Sequence, residues 1–387
     1  MDRNRLGIVL ICFALAFGAV SARAQDNASG SFRAFLTALW PDAQKRGVTR
    51  ATFDGALNGL TPDAEVLGLT KRQPEYNQPI GVYLKSRLTS GLLAGGKRNA
   101  EKWADTLAAV EAKYGVDKNI VLVIWGLETN YGGFSGGKDV IRSLATLAQA
   151  RYRDDFFRNE LLAALEILEQ EHITRAKMRG SWAGAMGQAQ FIPSSFLKFA
   201  VDFSGDGRRD IWNDVPDVLA SIANYMKEHG WQRGVPWGFE VTVPAGFDYR
   251  KSRATFPEWQ ALGIRRADGR ALPKNGNGIM FFPSGASGPA FLVTGNYETI
   301  KRYNLSDAYS LTVAGTADRL RGQEGFRGTW PDAVPLNRDQ RIRMQKLMRA
   351  QGYPVSNVVG QIDFDLRDQI RILQVLVVEP AQLAAVQ

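Results

Sequence analysis

The stretch Val121–Gly133 reads Val-Leu-Val-Ile-Trp-Gly-Leu-Glu-Thr-Asn-Tyr-Gly-Gly, so an apolar run leads directly into one carboxylate, Glu128. Asp117 is a candidate N-cap, and the sequence predicts a helix that begins near Lys118 and is ended by the two closing glycines. Glu128 would then lie in the last turn, where the helix dipole is negative and apolar neighbours exclude water. Both effects favour the protonated carboxyl, the form that a general acid needs near neutral pH. A solvated glutamate at a helix end is the alternative interpretation.

The composition is that of a globular protein that can bury a core, since 45% of the 387 residues are hydrophobic and 22% are charged. Residues 1–24 have a positive start, an apolar run and a small-residue cleavage site, which together predict a secretory signal peptide. The apolar run is too short for an ordinary transmembrane span. Ile11 before Cys12 argues against lipoprotein processing, which requires a small residue there. We therefore expect a soluble mature protein in the periplasm.

Cysteine and histidine are scarce. The only cysteine lies in the predicted signal peptide, so the mature chain has no disulfide and no thiol nucleophile. With only His172 and His229, the sequence excludes a histidine-rich metal site and disfavours a Ser-His-Asp triad. The formal net charge of +9 indicates attraction to polyanions. An anionic cell-wall polymer fits a secreted protein better than nucleic acid, and we expect no nucleic-acid partner.

Hydrophobic spacing predicts a mainly helical chain with one change of pattern. Helical spacing recurs before residue 230, and one further helix is expected over 296–320. Between 237 and 293, short alternating runs broken by proline and glycine predict a small β-rich insertion. Glycines and prolines mark 322–335 as a linker, and 336–387 as a small helical tail.

The segment Gly180–Ser195 alternates small residues with amide and aromatic side chains. Small residues allow the backbone to approach a ligand closely, and Gln190 offers both donors and an acceptor. The pattern therefore predicts a ligand-binding loop. A turn that packs beneath the core is the alternative interpretation.

The segment Asp202–Asp214 has oxygen-bearing side chains at alternate positions and a glycine at the sixth, as in a calcium-binding loop. It lacks the glutamate usually found at the twelfth position, but Asp217 could complete the coordination if the loop is longer. The alternative interpretation is a turn rich in aspartate and asparagine that is stabilised by its own side chains.

Taken together, the chain resembles the lytic murein transglycosylase B family, glycoside hydrolase family 103, from about residue 30 to 321. The resemblance implies a lysozyme-like, mostly helical catalytic domain over 25–321. The motifs that carry it are Gly126-x-Glu128-Thr-x-Tyr-Gly, Ser181-Trp-Ala-Gly-Ala-Met-Gly-x-x-Gln190-Phe-x-Pro-Ser-Ser, the loop that begins at Asp202, Ser221-Ile-Ala-Asn-Tyr225 and Tyr303-Asn304-x-Ser306-x-x-Tyr309.

The family resemblance implies cleavage of the β-1,4 bond between N-acetylmuramic acid and N-acetylglucosamine in peptidoglycan. The muramyl O6 attacks its own C1, and a 1,6-anhydro end forms without water. Glu128 would act first as the acid and then as the base, and its motif offers no second acidic residue. A muramidase that uses water and a non-catalytic murein-binding protein are the alternatives. No cofactor is expected for the chemistry.

The resemblance also assigns site residues. Hydrogen bonds to sugars, or positioning of Glu128, are expected from three polar side chains: Ser181, Gln190 and Asn304. Aromatic contacts along the glycan groove are expected from Tyr83, Tyr225, Tyr303, Tyr309 and Phe191. A structural Ca²⁺ is expected at Asp202, Ser204, Asp206, Arg208 and Asp217.

The tail, 336–387, is similar to a three-helix peptidoglycan-binding domain, with departures. Val359 precedes Gly360 where aspartate is usual, and Leu373 stands where an aromatic residue is frequent. We therefore expect a degenerate domain that contributes little to turnover on soluble glycan. The expected partners are glycan strands, with proteins of cell-wall synthesis or hydrolysis as further candidates, and a monomer is expected.

Overall fold

The computed structural model of the protein describes residues 30–70, 79–285, 287–331 and 336–360, together with positions 366, 367, 369, 370 and 373. The predicted signal peptide, 1–24, lies outside the described residues. The chain forms two compact units. The first takes its residues from 1–72 and 132–221, and the second takes its residues from 73–131 and 222–387.

Helices dominate the described part of the chain. In chain order they are α1 (30–38), α2 (Trp40–Lys45), α3 (Arg50–Leu57), α4 (Ala64–Leu69), α5 (Ile80–Arg87), α6 (Ser90–Lys102), α7 (Ala104–Tyr114), α8 (Lys118–Thr129), α9 (Val140–Gln149), α10 (Phe156–Glu169), α11 (Pro193–Phe199), α12 (Val215–Glu228), α13 (Phe256–Ala261), α14 (Gly295–Asn304), α15 (Asp307–Leu320) and α16 (Arg338–Ala350).

The strands are short. They are β1 (Lys138–Asp139), β2 (Arg179–Gly180), β3 (Gly238–Thr242), β4 (Arg253–Thr255), β5 (Arg265–Arg266), β6 (Asn277–Phe281) and β7 (Ala290–Val293). In the first unit β1 pairs with β2. In the second unit the other five form an antiparallel sheet in the order β4-β6-β7-β3-β5.

Helix α10 lies at the centre of the first unit, where it packs against α2, α3, α9 and α11. Its buried face includes one carboxyl, Glu160, which accepts hydrogen bonds from the backbone N of Ser194 at 2.9 Å and from its hydroxyl at 2.7 Å. Burial raises the pKa of Glu160. Because Ser194 lies in the first turn of α11, this carboxyl satisfies an amide that has no partner within its own helix.

Helix α8 is the corresponding central helix of the second unit and packs against α6, α7 and α15. Every residue from Ile120 to Gly126 is buried. A helix that is enclosed on all sides needs no polar face, which is why this stretch shows an unbroken apolar run instead of a helical period.

The predicted start of α8 is confirmed, and its predicted end is wrong. The side chain of Asp117 accepts the hydrogen bond from the amide of Asn119 at 2.8 Å, as an N-cap does. The helix ends at Thr129, before the two glycines, because Asn130 has a φ of 51°. Asparagine tolerates this left-handed conformation better than most residues. Glu128 nevertheless lies in the last turn, as predicted.

The sheet of the second unit confirms a small β-rich region in a mainly helical fold. The predicted strands near Phe239 and Ile279 are β3 and β6. Helix α13 packs against strands β4 and β6, and the indole N–H of its fully buried Trp259 donates to the carbonyl of Gly278 at 2.9 Å. Strand β7 is buried along its whole length.

The single helix predicted over 296–320 is instead two helices, α14 and α15. Leu305 interrupts them with a φ of 32°, which is unusual for a leucine. Ser306 then caps α15, since its hydroxyl accepts the amide of Tyr309 at 3.3 Å. A new N-cap begins a new helix axis.

The segment predicted as a linker is described from 322 to 331, and there it packs within the second unit, to which it belongs. A Cβ on Gly315 would lie 2.9 Å from the ring of Phe326, and one on Gly81 would lie 2.4 Å from Trp330. The amide of Gly328 donates to a carboxylate oxygen of Glu240 at 2.6 Å. These contacts do not follow from the breaker-rich composition.

Beyond this segment, α16 contributes Met348 to a small core with Val355 and Leu366. Within the described ranges, no helix combines the length and the apolar content needed to cross a bilayer.

Candidate active site

Glu128 is half-buried at the end of α8, where it meets a tyrosine of α15. The phenol of Tyr309 donates a hydrogen bond to Oε1 of Glu128 at 2.6 Å. Tyr309 is only 4% exposed, and burial together with the charge of Glu128 raises its pKa well above the usual value. The phenol therefore stays protonated at neutral pH and can only stabilise the ionised form of Glu128 as a donor. The sequence predicted Tyr309 as a sugar contact and did not predict this hydrogen bond.

The turn after Glu128 is held by Tyr131. Its hydroxyl donates to the carbonyl of Leu92 at 2.8 Å, and its ring meets Trp125 edge-on with 5.5 Å between centroids. A Cβ on Gly126 would lie 2.5 Å from the Tyr131 ring, so only glycine fits there. The spacing Gly126-x-Glu128-x-x-Tyr131 thus has a structural cause: the tyrosine folds back over the glycine and fixes the turn that carries the glutamate.

Two further predicted tyrosines lie in the same unit. The rings of Tyr225 and Tyr303 meet edge-on at 4.9 Å, and the Tyr225 hydroxyl donates to the carbonyl of Arg302 at 2.8 Å. Burial and the charge of Glu128 raise the pKa of Tyr303, while burial raises that of Tyr225 to about 12. The second unit therefore gathers Tyr225, Tyr303 and Tyr309 near one carboxylate.

Asn304 and Tyr83 are also placed in the second unit. Asn304 is exposed at the last position of α14, directly before the break at Leu305. Tyr83 is half-buried on α5, which packs against α15. The negative charge of an ionised Tyr83 would raise the pKa of Tyr309. Both positions are compatible with the predicted contacts to sugar.

In the first unit, Ser181 organises the loop that contains it. Its hydroxyl accepts hydrogen bonds from the amide of Ala183 at 3.3 Å and from the amide of Ala185 at 3.0 Å. Ser181 is half-buried. Its observed contacts are therefore those of a turn, which was the alternative interpretation of this segment.

Gln190 and Phe191 belong to the same loop. The amide nitrogen of Gln190 donates to the carbonyls of Ser135 at 2.9 Å and Gly187 at 2.8 Å, and the residue has a φ of 50°. An amide fixed by two backbone carbonyls presents its side chain in one orientation. Phe191 is only 3% exposed, so its ring packs in the interior.

The predicted calcium loop is also in the first unit, and backbone amides occupy its carboxylates. Asp217 is fully buried and accepts the amides of Phe203 at 2.7 Å, Ser204 at 3.1 Å and Asp210 at 2.8 Å. Asp202 accepts two amides in the same way, at 2.6 and 2.8 Å.

These contacts test how well the loop fits a cation. Across the described residues, no three acidic, histidine or cysteine side chains are grouped as metal ligands. The oxygens of Asp202, Asp206 and Asp217 are arranged as acceptors for the loop's own backbone. A carboxylate oxygen has two lone pairs, so an oxygen of Asp202 or Asp206 that accepts one amide can still contact a cation, whereas Oδ1 of Asp217 already accepts two amides.

A cavity of about 1000 Å³ in the second unit surrounds the N-terminal end of α8, the opposite end from Glu128. Its charges neutralise one another: Arg321 pairs with Asp117 and with Asp318, each at 2.6 Å. No predicted substrate residue lines this cavity. The tyrosines and the carboxyl of Glu128, rather than the cavity, define the candidate active site.

Comparison with known proteins identifies the family. Residues 31–318, most of the chain, match the family model described as Transglycosylase SLT domain. Among solved structures, SltB3 from Pseudomonas aeruginosa in complex with NAG-anhNAM-pentapeptide is 43% identical, with a TM-score of 0.81. That match covers 89% of this chain and 94% of that chain. The chain belongs to the lytic murein transglycosylase B family.

Two relatives from Escherichia coli support this family assignment. Membrane-bound lytic murein transglycosylase B of strain K12 is 32% identical over 244 residues, which are 61% of this chain and 66% of that protein. The chain thus spans about two thirds of that relative's length. Slt35 in complex with calcium is 28% identical, with a TM-score of 0.64 over 75% of this chain and 92% of that chain.

These neighbours confirm the predicted family and the mainly helical, lysozyme-like fold. They also confirm the predicted enzyme class, a peptidoglycan lytic transglycosylase. SltB3 has also been solved in complex with NAG-NAM-pentapeptide, with the same identity and coverage.

Proposed function

We propose that this lytic transglycosylase cleaves the β-1,4 bond between N-acetylmuramic acid and N-acetylglucosamine with Glu128 as its single acid and base. The observation that supports this most directly is the 2.6 Å hydrogen bond from Tyr309 to Oε1 of Glu128 in a cluster of tyrosines. Within the described residues, Glu128 is the one carboxylate that raises the pKa of both Tyr303 and Tyr309. A retaining hydrolase needs a second carboxylate about 5 Å away, and an inverting one needs it at about 6.5–9.5 Å.

The proposed reaction consumes no water. Protonated Glu128 gives its proton to the glycosidic oxygen, and the bond from that oxygen to C1 of the muramyl sugar breaks. Ionised Glu128 then takes the proton from the muramyl O6 hydroxyl while O6 forms a bond to C1. The proton on Glu128 is thereby restored, and the product has a 1,6-anhydro end. Tyr309 stabilises the carboxylate between the two steps by donating its hydrogen bond.

We infer that glycan strands are held by Ser181, Gln190 and Asn304 through hydrogen bonds, and by Tyr83, Tyr225 and Tyr303 through ring contacts. The complexes of SltB3 with NAG-NAM and NAG-anhNAM pentapeptides support this class of substrate. Aromatic rings suit the apolar faces of sugars, and fixed amides suit their hydroxyls. The burial of Phe191 gives no support to its predicted role.

A structural Ca²⁺ at Asp202, Ser204, Asp206, the carbonyl of Arg208 and Asp217 remains our proposal for the loop of the first unit. The calcium complex of Slt35 and the spacing of oxygen-bearing residues support it. The two backbone amides that Oδ1 of Asp217 already accepts count against this oxygen as a preformed ligand for the ion.

We also propose a periplasmic location through cleavage of residues 1–24, without lipid attachment. The composition of this segment supports it. Proteins of wall synthesis or hydrolysis remain candidate partners, a monomer remains the proposed state, and the tail from 336 remains a proposed degenerate wall-binding domain after the segment 322–335.

Product analysis in heavy-oxygen water tests the proposed chemistry. The full-length protein is incubated with purified murein in H₂¹⁸O, and the muropeptides are analysed by mass spectrometry. We expect anhydro ends that carry no ¹⁸O. Reducing muramyl ends labelled with ¹⁸O would instead establish a muramidase, and intact murein would support the non-catalytic alternative.

A further inference from the structure

The tail contacts the helix that carries Tyr309. The guanidinium of Arg367 forms an ion pair and a hydrogen bond with Oδ2 of Asp307, the first residue of α15. The pair lies well inside the second unit, since the side chain of Asp307 is 9% exposed and that of Arg367 is 25% exposed. An exposed pair would contribute little, but removing one partner of a buried pair leaves an uncompensated charge.

Asp307 is the centre of a buried cluster. Lys301 approaches Oδ1 of Asp307 at 3.0 Å, and the hydroxyl of the fully buried Tyr297 donates to the same oxygen at 3.3 Å. Burial alone would raise the pKa of Asp307, but Arg367 and Lys301 outweigh burial and hold the pKa below its usual value. Asp307 is therefore ionised, and two cations from different parts of the chain compensate its charge.

Arg367 is itself fixed from two sides. The adjacent Leu366 is buried in the small core that it forms with Met348 and Val355. The guanidinium of Arg367 lies 5.1 Å from the ring centroid of Phe281 in β6, within the range of a cation–π contact. Because its neighbour Leu366 is packed in this core, Arg367 is held in place where it contacts Asp307.

The start of α15 depends on such contacts because α14 does not continue into it. Leu305 breaks the helical path with a φ of 32°, and α15 begins again at Ser306. Tyr309, two residues after Asp307, donates its amide to Ser306 and its phenol to Glu128. One helical turn therefore connects the ion pair with Arg367 to the hydrogen bond on the catalytic carboxyl.

We propose that Arg367 is a positioning residue for the reaction: by holding Asp307, it fixes the first turn of α15 so that the Tyr309 phenol stays on Glu128. This inference rests on the proposed role of Glu128. It assigns the tail a role as a brace for the catalytic helix. Under this proposal, loss of the tail lowers turnover on soluble glycan, which is the opposite of the expectation from its sequence, and that expectation stays a prediction for the same experiment to decide.

The test compares Arg367→Met with Arg343→Met in the full-length protein. Arg343 lies on the exposed side of α16, so its variant removes the same charge from the tail without touching Asp307. Turnover of soluble, uncross-linked murein glycan is measured well below the melting temperature of each variant. For Arg367→Met we expect on the order of tenfold lower kcat with KM nearly unchanged, as a small displacement of a catalytic group causes. Arg343→Met should match the wild type.

A double-mutant cycle with Tyr309→Phe separates positioning from general destabilisation. If Arg367 acts through the Tyr309 phenol, adding Arg367→Met to Tyr309→Phe should reduce kcat little further. Arg367→Lys, which keeps a cation but loses the forked geometry, should fall between wild type and Arg367→Met. It also provides the comparison if the methionine variant does not fold.

Three results would overturn the proposal. One is a folded Arg367→Met or Arg367→Lys variant with wild-type kcat. Another is a full additional loss of kcat in the Tyr309→Phe background. The third is an equal loss in Arg343→Met. If the wild type and Arg343→Met both form no anhydro product, the proposed function fails instead, and that outcome is visible before any Arg367 variant is compared.

Discussion

Two carboxyl groups, Glu128 in the second unit and Asp217 in the first, have contrasting surroundings. Asp217 is fully buried and accepts hydrogen bonds from three backbone amides, which fix its loop. Glu128 is half-buried at a helix end and accepts a hydrogen bond from a side chain, the phenol of Tyr309. Burial raises the pKa of Asp217 although its three amides favour the ionised form, and protonation of an oxygen that accepts these amides would weaken the hydrogen bonds that fix the loop. A carboxyl at the end of a helix that accepts a hydrogen bond from a side chain can lose its proton in one step and regain it in the next.

The largest effect expected from this contrast is that of Glu128→Gln. The amide cannot give or take the proton, so we expect turnover to fall by about 10²–10⁴-fold, the usual contribution of general acid–base catalysis. The measurement is the rate of formation of anhydro-ended products from murein.

Glu101→Gln is the matched control, since Glu101 is exposed on α6 and should leave the rate unchanged. Melting temperature and binding of glycan should stay close to wild type in both variants. Turnover by Glu128→Gln at the wild-type rate would eliminate the single-acid mechanism.

Tyr309→Phe should give the next largest loss. It removes one hydrogen bond to a charged group, worth about 1.5–3 kcal/mol, which corresponds to roughly 10- to 100-fold in kcat if the bond acts on the reaction. The ring remains to fill the interior, so the melting temperature should change little. The pH profile of kcat provides a second readout, because without the phenol the ionised form of Glu128 loses a donor.

In that variant the limb of the profile that reports Glu128 should move to higher pH. An unchanged kcat and an unmoved profile would show that Tyr309 lines the site without acting on the carboxyl.

In the second unit, local features could be predicted from the sequence and long-range contacts could not. The helix that carries Glu128 in its last turn followed from its apolar run and from Asp117, because burial and capping are local consequences of the sequence. The Gly126–Tyr131 packing follows from the fold of one turn, but a sequence shows only the spacing and not the ring lying over the glycine. The hydrogen bond from Tyr309 to Glu128 joins residues 181 positions apart, so no local pattern indicates it.

The predictions that failed have a physical reason as well. Asn130 and Leu305 end their helices in left-handed conformations, and a leucine in that conformation gives no signal of its own. The contact of Arg367 with Asp307 depends on the packed tail and on the sheet beneath it, and long-range ion pairs leave no periodicity in a sequence. The contacts of Ser181 lie within its own loop, and its predicted role toward sugar stays a prediction.

At Asp217 we expect a loss of stability with a smaller effect on turnover. Asp217→Ala removes the acceptor of three amides, two from the half-buried residues Phe203 and Asp210 and one from the exposed Ser204, which water can satisfy. At about 1–3 kcal/mol for each buried group left unsatisfied, partly offset by removal of a buried charge, the free energy of unfolding should fall by about 2–3 kcal/mol. Chemical denaturation measures this loss. Turnover per folded molecule should fall far less than in Tyr309→Phe.

Asp217→Asn is the matched control because it retains one side-chain oxygen as an acceptor. It should keep the hydrogen bonds from Phe203 and Ser204 and lose mainly the one from Asp210, so its destabilisation should be smaller. If both variants were as stable as the wild type but inactive, the contrast between a structural and a chemical carboxyl would be lost.

The smallest expected effect is that of calcium, and it decides whether the loop of the first unit is a cation site or a self-sufficient turn. An ion that binds only the folded state stabilises it by RT ln(1 + [L]/Kd), about 2.7 kcal/mol at a hundredfold excess over Kd. For a protein of this size that corresponds to a rise of a few degrees in melting temperature over the chelator-treated protein.

Asp206→Ala should abolish the rise yet barely change the chelated protein, because Asp206 accepts the amide of Arg208 in an exposed part of the loop. Turnover in chelator should stay near wild type, since the ion takes no part in the proposed proton transfers. A melting temperature that does not respond to calcium would show that the backbone amides already satisfy Asp202 and Asp217, and the first unit would then be stabilised by its own hydrogen bonds alone.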